Sequence, residues 1–195
     1  MRMSAAILAG GKSRRFGSDK ALARWKDSTM LAAAISNLEA YVSDILIVTK
    51  RPAKYAAFAS KNVRVIKDSV TRQHPLSGIA TALAASKTPH ILITACDMPL
   101  LQPSVIKTLI KTRTAARATV AVWQGKPQPF PGVYAKTCKA AALTLLKQRD
   151  ASIQELLQTI EVRFIKEQSW RARDTSAATF TDIDTPAQLA NVQGQ

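Results

Sequence analysis

The chain has 195 residues, with 28 Lys and Arg against 13 Asp and Glu, a formal charge of +15. At this length one domain is the natural expectation, and 47% apolar with 21% charged residues reads as globular, which excludes a disordered or fibrous chain. No apolar run approaches the ~20 residues that cross a bilayer, and Cys96 and Cys138 alone support neither a disulfide framework nor a four-ligand zinc site.

The first apolar segment, Ala5–Ala9, stops at Gly10-Gly11, as a buried parallel strand does. It is too short for a secretory signal, so a reducing cytoplasm is the expected compartment. Thr29–Ala40 has helix length and apolar spacing. Ile45–Val48 and Val63–Ile66 read as two further strands, the second ending at Lys67-Asp68. A helix is predicted over Leu76–Ala85, a strand over His90–Ala95 and another helix over Ser104–Lys111. Strands alternating with helices predict βαβ units and a mostly parallel sheet.

The second half is less regular. Thr119–Trp123 reads as a strand, Gly125–Pro129 as a loop and Val133-Tyr134 as a short strand. Helices are predicted over Thr137–Lys147 and Ser152–Leu157, the latter with a Ser152/Glu155 capping box. Glu161–Ile165 reads as a strand. Thr185 or Asp184 is placed to cap a last helix with Pro186 in its first turn. The expectation is a single α/β domain over residues 1–195.

Ligands of open α/β sheets bind beyond the carboxyl ends of the parallel strands. The loop Gly10-Gly11-Lys12-Ser13-Arg14-Arg15-Phe16-Gly17-Ser18-Asp19-Lys20 falls there. Its glycines permit positive φ and close backbone approach, and Arg15 and Lys20 add charge, so the loop suits a triphosphate. It is not a Walker P-loop, since position six is Ala6, and its adjacent glycines do not make the dinucleotide fingerprint. Asp97, past a buried strand, is a candidate Mg²⁺ ligand, because Mg²⁺ takes one or two carboxylates plus phosphate oxygens. Cys96 reads as a packing residue, and His74 as a loop histidine. Asp68 is placed to accept a hydrogen bond from a ribose or base, or to assist the metal. Asp182 and Asp184 face the metal, or Asp184 caps the last helix, the commoner task for such a residue. Aromatic residues are 6% of the chain and the basic residues are scattered, which does not favour a nucleic-acid partner.

With these residues collected, the sequence resembles the molybdenum cofactor guanylyltransferases, the MobA-like branch of the nucleotidyltransferases. LAGGKSRRFGSDKAL follows that family's opening LAGGxSxRMGxDKxL, with Phe16 for the usual methionine. HPLSGI is similar to its PLAGI segment, ACDMPLL to its metal loop, PQPFPGVY loosely to its distal motif and FTDIDTPAQL to its closing one. The resemblance spans Leu8 to Leu189. It implies a Rossmann-like mixed sheet flanked by helices, with a nucleotide-binding half at about 1–100 and an acceptor-binding half at about 101–195. It also implies GMP transfer from GTP to molybdopterin phosphate, with Mg²⁺ as cofactor. Leu8, Ala9 and Gly10 would then contact guanine and nucleoside through backbone groups. Gly11, Arg15 and Lys20 would hold the triphosphate, Asp68 the nucleoside region and Asp97 the metal. Arg15, Lys20 and Asp97 are the catalytic candidates. The partners implied are GTP, molybdopterin and, transiently, proteins of the cofactor pathway or molybdoenzymes, with no membrane. Two departures stand out. Val48-Thr49-Lys50 lacks the family's asparagine, and Asp182 and Asp184 replace asparagines. The latter leaves a cytidylyltransferase with another acceptor as the alternative, although LAGG and PLSG favour guanine.

Overall fold

The computed structural model describes residues 3–193 apart from Lys12, Arg14, Ser69, Thr71, Arg72, Gln73 and Arg149, and the backbone alone at Arg173. Lys12 and Arg14 of the glycine loop therefore lie outside the described residues. Four parallel strands come first: β1 (Ser4–Leu8), then, beyond a two-residue hairpin of β2 (Arg24–Trp25) and β3 (Ser28–Thr29), β4 (Asp44–Thr49), β5 (Val63–Lys67) and β6 (His90–Ala95). Helices α1 (Met30–Glu39), α2 (Pro75–Ala85) and α3 (Pro103–Thr112) lie between or after them. The second half adds β7 (Ala118–Trp123), β8 (Lys126–Ala135), α4 (Cys138–Leu145), α5 (Ile153–Thr159), β9 (Val162–Ile165) and α6 (Pro186–Gln193). The sheet order is β5-β4-β1-β6-β8-β7-β9, and β8 runs antiparallel to both neighbours.

The period-2 pattern of the strands explains the layers. Ala5 and Ile7 of β1, Ile45 and Ile47 of β4 and Leu92 of β6 enter one core, against α1 and α3. Ala6, Leu46, Val48, Ile91 and Ile93 point the other way, into a second core with α2, α4 and α5. Burying each of the Ile, Leu and Val side chains among these is worth about 1.5–3 kcal/mol. Helix starts follow their capping chemistry. Thr29 Oγ1 accepts from Ala32 N–H at 3.2 Å, and Ser152 Oγ from Glu155 N–H at 3.0 Å. His74 caps α2, its Nδ1 accepting from Leu76 N–H at 3.1 Å.

One expected loop is a strand. Residues Lys126–Pro129 belong to β8, which pairs with β7 along Lys126–Gln128 and again from Gly132 onward. Pro129, Phe130 and Pro131 bulge out between those stretches, and β8 meets β6 only from Gly132 to Ala135. The prolines thus sit where no second neighbour asks for their missing N–H. Gly132 turns the chain back into the ladder. A Cβ there would meet the Pro129 carbonyl oxygen at 2.7 Å and Tyr134 Cε2 at 2.9 Å.

After β9 the chain crosses back over the sheet. Trp170 packs edge-on against Phe180, with centroids 4.9 Å apart, and Phe180 stacks on Trp123 at 5.8 Å. Ile183 is fully buried with Phe16, Trp25 and Met30. No helix among the described residues is long and apolar enough to cross a membrane.

Candidate active site

The carboxyl ends of β4, β1 and β6, with the bulge of β8 beside them, open into one cleft of about 740 Å³. At ~4.8 Å per strand, β4 to β8 spans about 14 Å. Leu8, Ala9, Gly10, Gly11, Arg15, Lys20, Asp68 and Asp97 all line it, so the structure brings every candidate together. The cleft also takes in Phe130 and Phe180 on the β8 side and Asp182 and Asp184 from the closing segment.

At the glycine loop the sheet still claims the first residues. Ala9 N–H donates to the Val48 carbonyl at 2.9 Å, and Cys96 N–H donates to the Leu8 carbonyl at 3.2 Å. Positive φ falls at Ser13 (44°) and Gly17 (75°), not at Gly10 or Gly11 as their type suggested. What those two glycines provide is room, since a Cβ on either would meet nothing within 4 Å. Gly78 of α2 works in the opposite way: its Cβ would stand 3.1 Å from Leu8 Cδ2, so the bare residue lets the helix press its first turns against the cleft floor. The amino end of α2, with Ser77 and Gly78 lining the cleft, points partial positive charge at the same space.

Lys20 is the hub. Its ammonium lies 2.6 Å from Asp97 Oδ2 and 2.9 Å from Asp184 Oδ1, and its side chain is 13% exposed. Arg15, 74% exposed, reaches Asp184 Oδ2 at 2.7 Å. Burial works against the charge on Lys20, but Asp97 and Asp184 outweigh it and hold its pKa above the ordinary value. The Lys20 hydrogen bond in turn holds the Asp184 carboxyl low. Asp182 goes the other way: although the residue is exposed, partial desolvation at the cleft first, then Asp97 and Asp184, push it up to about 6. Asp184 therefore does not cap α6, the commoner task expected of it. Thr185 caps instead: its Oγ1 accepts from Gln188 N–H at 3.2 Å, while Gln188 Oε1 accepts from Thr185 N–H at 3.0 Å. The Thr-x-x-Gln box was the signal for that choice.

Asp68 is buried, and its carboxylate is engaged by the protein. It accepts from Ser77 Oγ at 2.6 Å, Thr81 Oγ1 at 3.0 Å and Val70 N–H at 3.2 Å, and pairs with Lys50 Nζ at 2.9 Å. Lys50 also donates to the Val70 carbonyl. A lysine in the stretch where the resemblance expects asparagine thus ties the residues after β5 to the end of β4.

Asp97 and Asp182 offer only oxygen donors, and the cleft holds no cluster of three metal-ligating side chains among the described residues. One or two carboxylates with the remaining positions left to phosphate and water is the donor set Mg²⁺ accepts, so these residues fit that ion. Cys96 is buried beside Asp97, and its thiol is pushed up to about 12 by burial and then by Asp97, which makes it a poor nucleophile.

A family model described as the MobA-like NTP transferase domain matches residues 5–167. The chain belongs to this family. Asp182 and Asp184 lie beyond the matched span. A Geobacillus relative named probable molybdenum cofactor guanylyltransferase is 31% identical over 196 residues, 98% of each chain. One of the same name from Carboxydothermus hydrogenoformans is 30% identical over 185 residues, covering 95% of this chain and 92% of its own. Among solved structures, molybdopterin-guanine dinucleotide biosynthesis protein A from Archaeoglobus fulgidus superposes with a TM-score of 0.84 at 20% identity, over 98% and 97% of the two chains. A 2-C-methyl-D-erythritol 4-phosphate cytidylyltransferase from Thermus thermophilus gives 0.72 at 16%, over 100% and 98%. At those identities the structures show a shared nucleotidyltransferase fold, and the family is one of nucleotidyltransferases.

Proposed function

We propose that this MobA-like transferase joins GMP from GTP to the phosphate of molybdopterin, forming molybdopterin guanine dinucleotide and releasing pyrophosphate. The observation that carries this reading is the Lys20 ammonium held between Asp97 and Asp184 at the middle of the cleft. On one side lie the glycine loop and the start of α2, and on the other the Phe130 and Phe180 wall. The nucleotide belongs on the first side, in the half of the chain up to about residue 100, and the acceptor on the second. Backbone groups of Leu8, Ala9 and Gly10 border the guanine and nucleoside. Gly11, Arg15 and Lys20 hold the triphosphate. Asp68, with its carboxylate spent on α2 and Lys50, shapes the nucleoside region.

A phosphate oxygen of the pterin, already an anion, attacks the α-phosphorus of GTP. One P–O bond forms as the bond to the β-phosphate breaks, and the electron pair leaves with pyrophosphate. No protein nucleophile is required, which agrees with the raised Cys96 thiol. Lys20 and Arg15 stabilise charge on the transferring phosphates, and the loop and α2 fix their position, the two effects on which such transfers depend. Asp97, aided by Asp182, would hold Mg²⁺, and that ion supplies further charge neutralisation on phosphate oxygens when bound. A reducing cytoplasm suits the two buried thiols, Cys96 and Cys138. The basic surface suits the anionic substrates and transient docking to acidic proteins of the cofactor pathway or to molybdoenzymes.

Calorimetric titration with GTP and CTP, with and without Mg²⁺, tests the reading. Mg²⁺-dependent binding that favours GTP, followed by dinucleotide formation with molybdopterin, is the expected result. A CTP preference would move the chain to the cytidylyltransferase side, and binding of neither nucleotide would refute both.

A further inference from the structure

The residue before Lys20 is held by a segment that sends Tyr55 to the cleft wall and that the transfer reaction as read above gives no task. Asp19 Oδ1 accepts from Ala21 N–H at 3.0 Å, which caps the short 3-10 turn Lys20–Leu22. Asp19 Oδ2 accepts from the Tyr55 hydroxyl at 2.8 Å and pairs with Lys54 Nζ at 2.7 Å. Tyr55 and Lys54 stand on a 3-10 segment, Pro52–Phe58, that follows β4, and Tyr55 is its one buried residue. That segment therefore sends its single buried side chain, with a polar tip, to the carboxylate next to the hub lysine. Burial opposes the charge on Asp19, but the bonds from Lys54 and Tyr55 outweigh it and keep the group ionised.

We propose that Tyr55, with Lys54, is a positioning residue for the nucleotidyl transfer: through Asp19 it fixes the turn that starts at Lys20 and so the place of the Lys20 ammonium. This rests on the assignment of Lys20 to the triphosphate. The geometry favours a positioning role over simple filling of space. The ring packs into the core and borders the cleft, whereas the hydroxyl donates to Asp19. Small displacements of a group that must meet a transferring phosphate lower turnover far more than they lower binding.

Tyr55→Phe keeps the ring and removes that bond. The expected result is kcat lower by about tenfold with the KM for GTP within about twofold of wild type. In a Lys20→Met background the same change should cost less than about twofold, because the residue through which it acts is gone. Multiplying effects in the double variant would overturn the proposal. A second readout needs no substrate. Acetylation of Lys20 by a sulfosuccinimidyl ester, followed by mass spectrometry against exposed Lys107, should quicken by about threefold or more in Tyr55→Phe as the turn opens more often. Unchanged labelling would equally overturn it. Lys54→Met should shift both readouts in the same direction and serves if Tyr55→Phe folds poorly. Wild-type protein that turns over no GTP refutes the functional reading alone, because the labelling result stands without it.

Discussion

Replacing Lys20 with methionine removes one ammonium and little else, so its cost can be worked from the site. Three carboxylates, those of Asp97, Asp182 and Asp184, face the cleft near two cations. Arg15 is 74% exposed and screened by solvent, whereas Lys20 is 13% exposed and bridges Asp97 and Asp184. Nearly all the effective positive charge at the centre is therefore lost, just where a triphosphate brings more negative charge. Removing one preorganised electrostatic group of this kind costs about 10²–10³ in kcat, or about 2.7–4 kcal/mol. The folded state should lose less. The two charge-assisted hydrogen bonds are offset by the ammonium's own desolvation, leaving about 1–2 kcal/mol, or about 2–8 °C in a chain of this size. Pyrophosphate release at saturating GTP and a thermal melt are the assays. Because the folded pKa of Lys20 lies above 10.5, its contribution to stability is present below that value and is lost as pH rises through the folded pKa. Wild type should thus lose its margin over Lys20→Met in strong alkali. A variant with kcat within about threefold of wild type would refute the electrostatic reasoning, since the charge invoked would then be idle.

Asp97→Ala should abolish the Mg²⁺ dependence of GTP binding; calorimetry in which the variant keeps the wild-type gap between affinities with and without the ion would remove Asp97 from the metal site. Gly132→Ala forces a methyl group to within 2.7 Å of the Pro129 carbonyl oxygen, and the overpacking should lower stability to urea by about 1–3 kcal/mol. A neutral outcome there would mean that the β8 bulge yields freely. Arg64→Met breaks a two-pronged pair with buried Asp44, at 2.8 and 2.7 Å, and should cost about 1.5–3 kcal/mol at neutral pH. The Arg64 hydrogen bond holds the Asp44 carboxyl below 3.8, so this stability is present above the unfolded value and is lost as pH falls through the folded one. Urea midpoints of the two proteins should converge in acid, and a gap that persists there would show that the pair is not its source.

The parallel half of the fold was legible because its strands announce themselves twice, by apolar runs and by what ends them. Ala5–Ala9 stops at two glycines and His90–Ala95 at Cys96-Asp97, and both stops are where the cleft begins. The β8 strand was not legible, since three prolines in Lys126–Pro131 argue against a sheet interior, and only the bulge and the late start of pairing with β6 make them tolerable. The two-residue hairpin of β2 and β3 is too short to show a period. Within the site, the loop residues and Asp97 could be picked out from residue type and position. Asp184 was misjudged because a carboxylate beside a helix start usually caps it, and the rival cap, Thr185 with Gln188, lay one residue on. The tie from Tyr55 to Asp19 joins positions 36 residues apart, and nothing local in the sequence marks it.

The closing segment makes the alignment of the site depend on one short stretch of chain. Ile183 N–H donates to the Asp97 carbonyl at 3.0 Å, and the Trp170, Phe180 and Trp123 rings pin the same segment to the sheet. All seven strands of the sheet precede this string in the chain. The sheet and the glycine loop therefore do not by themselves give Lys20 its Asp184 partner, a contact made only by the segment that lies across them. On the function proposed above, loosening this one strap would leave the sheet standing and undo the alignment of its tools.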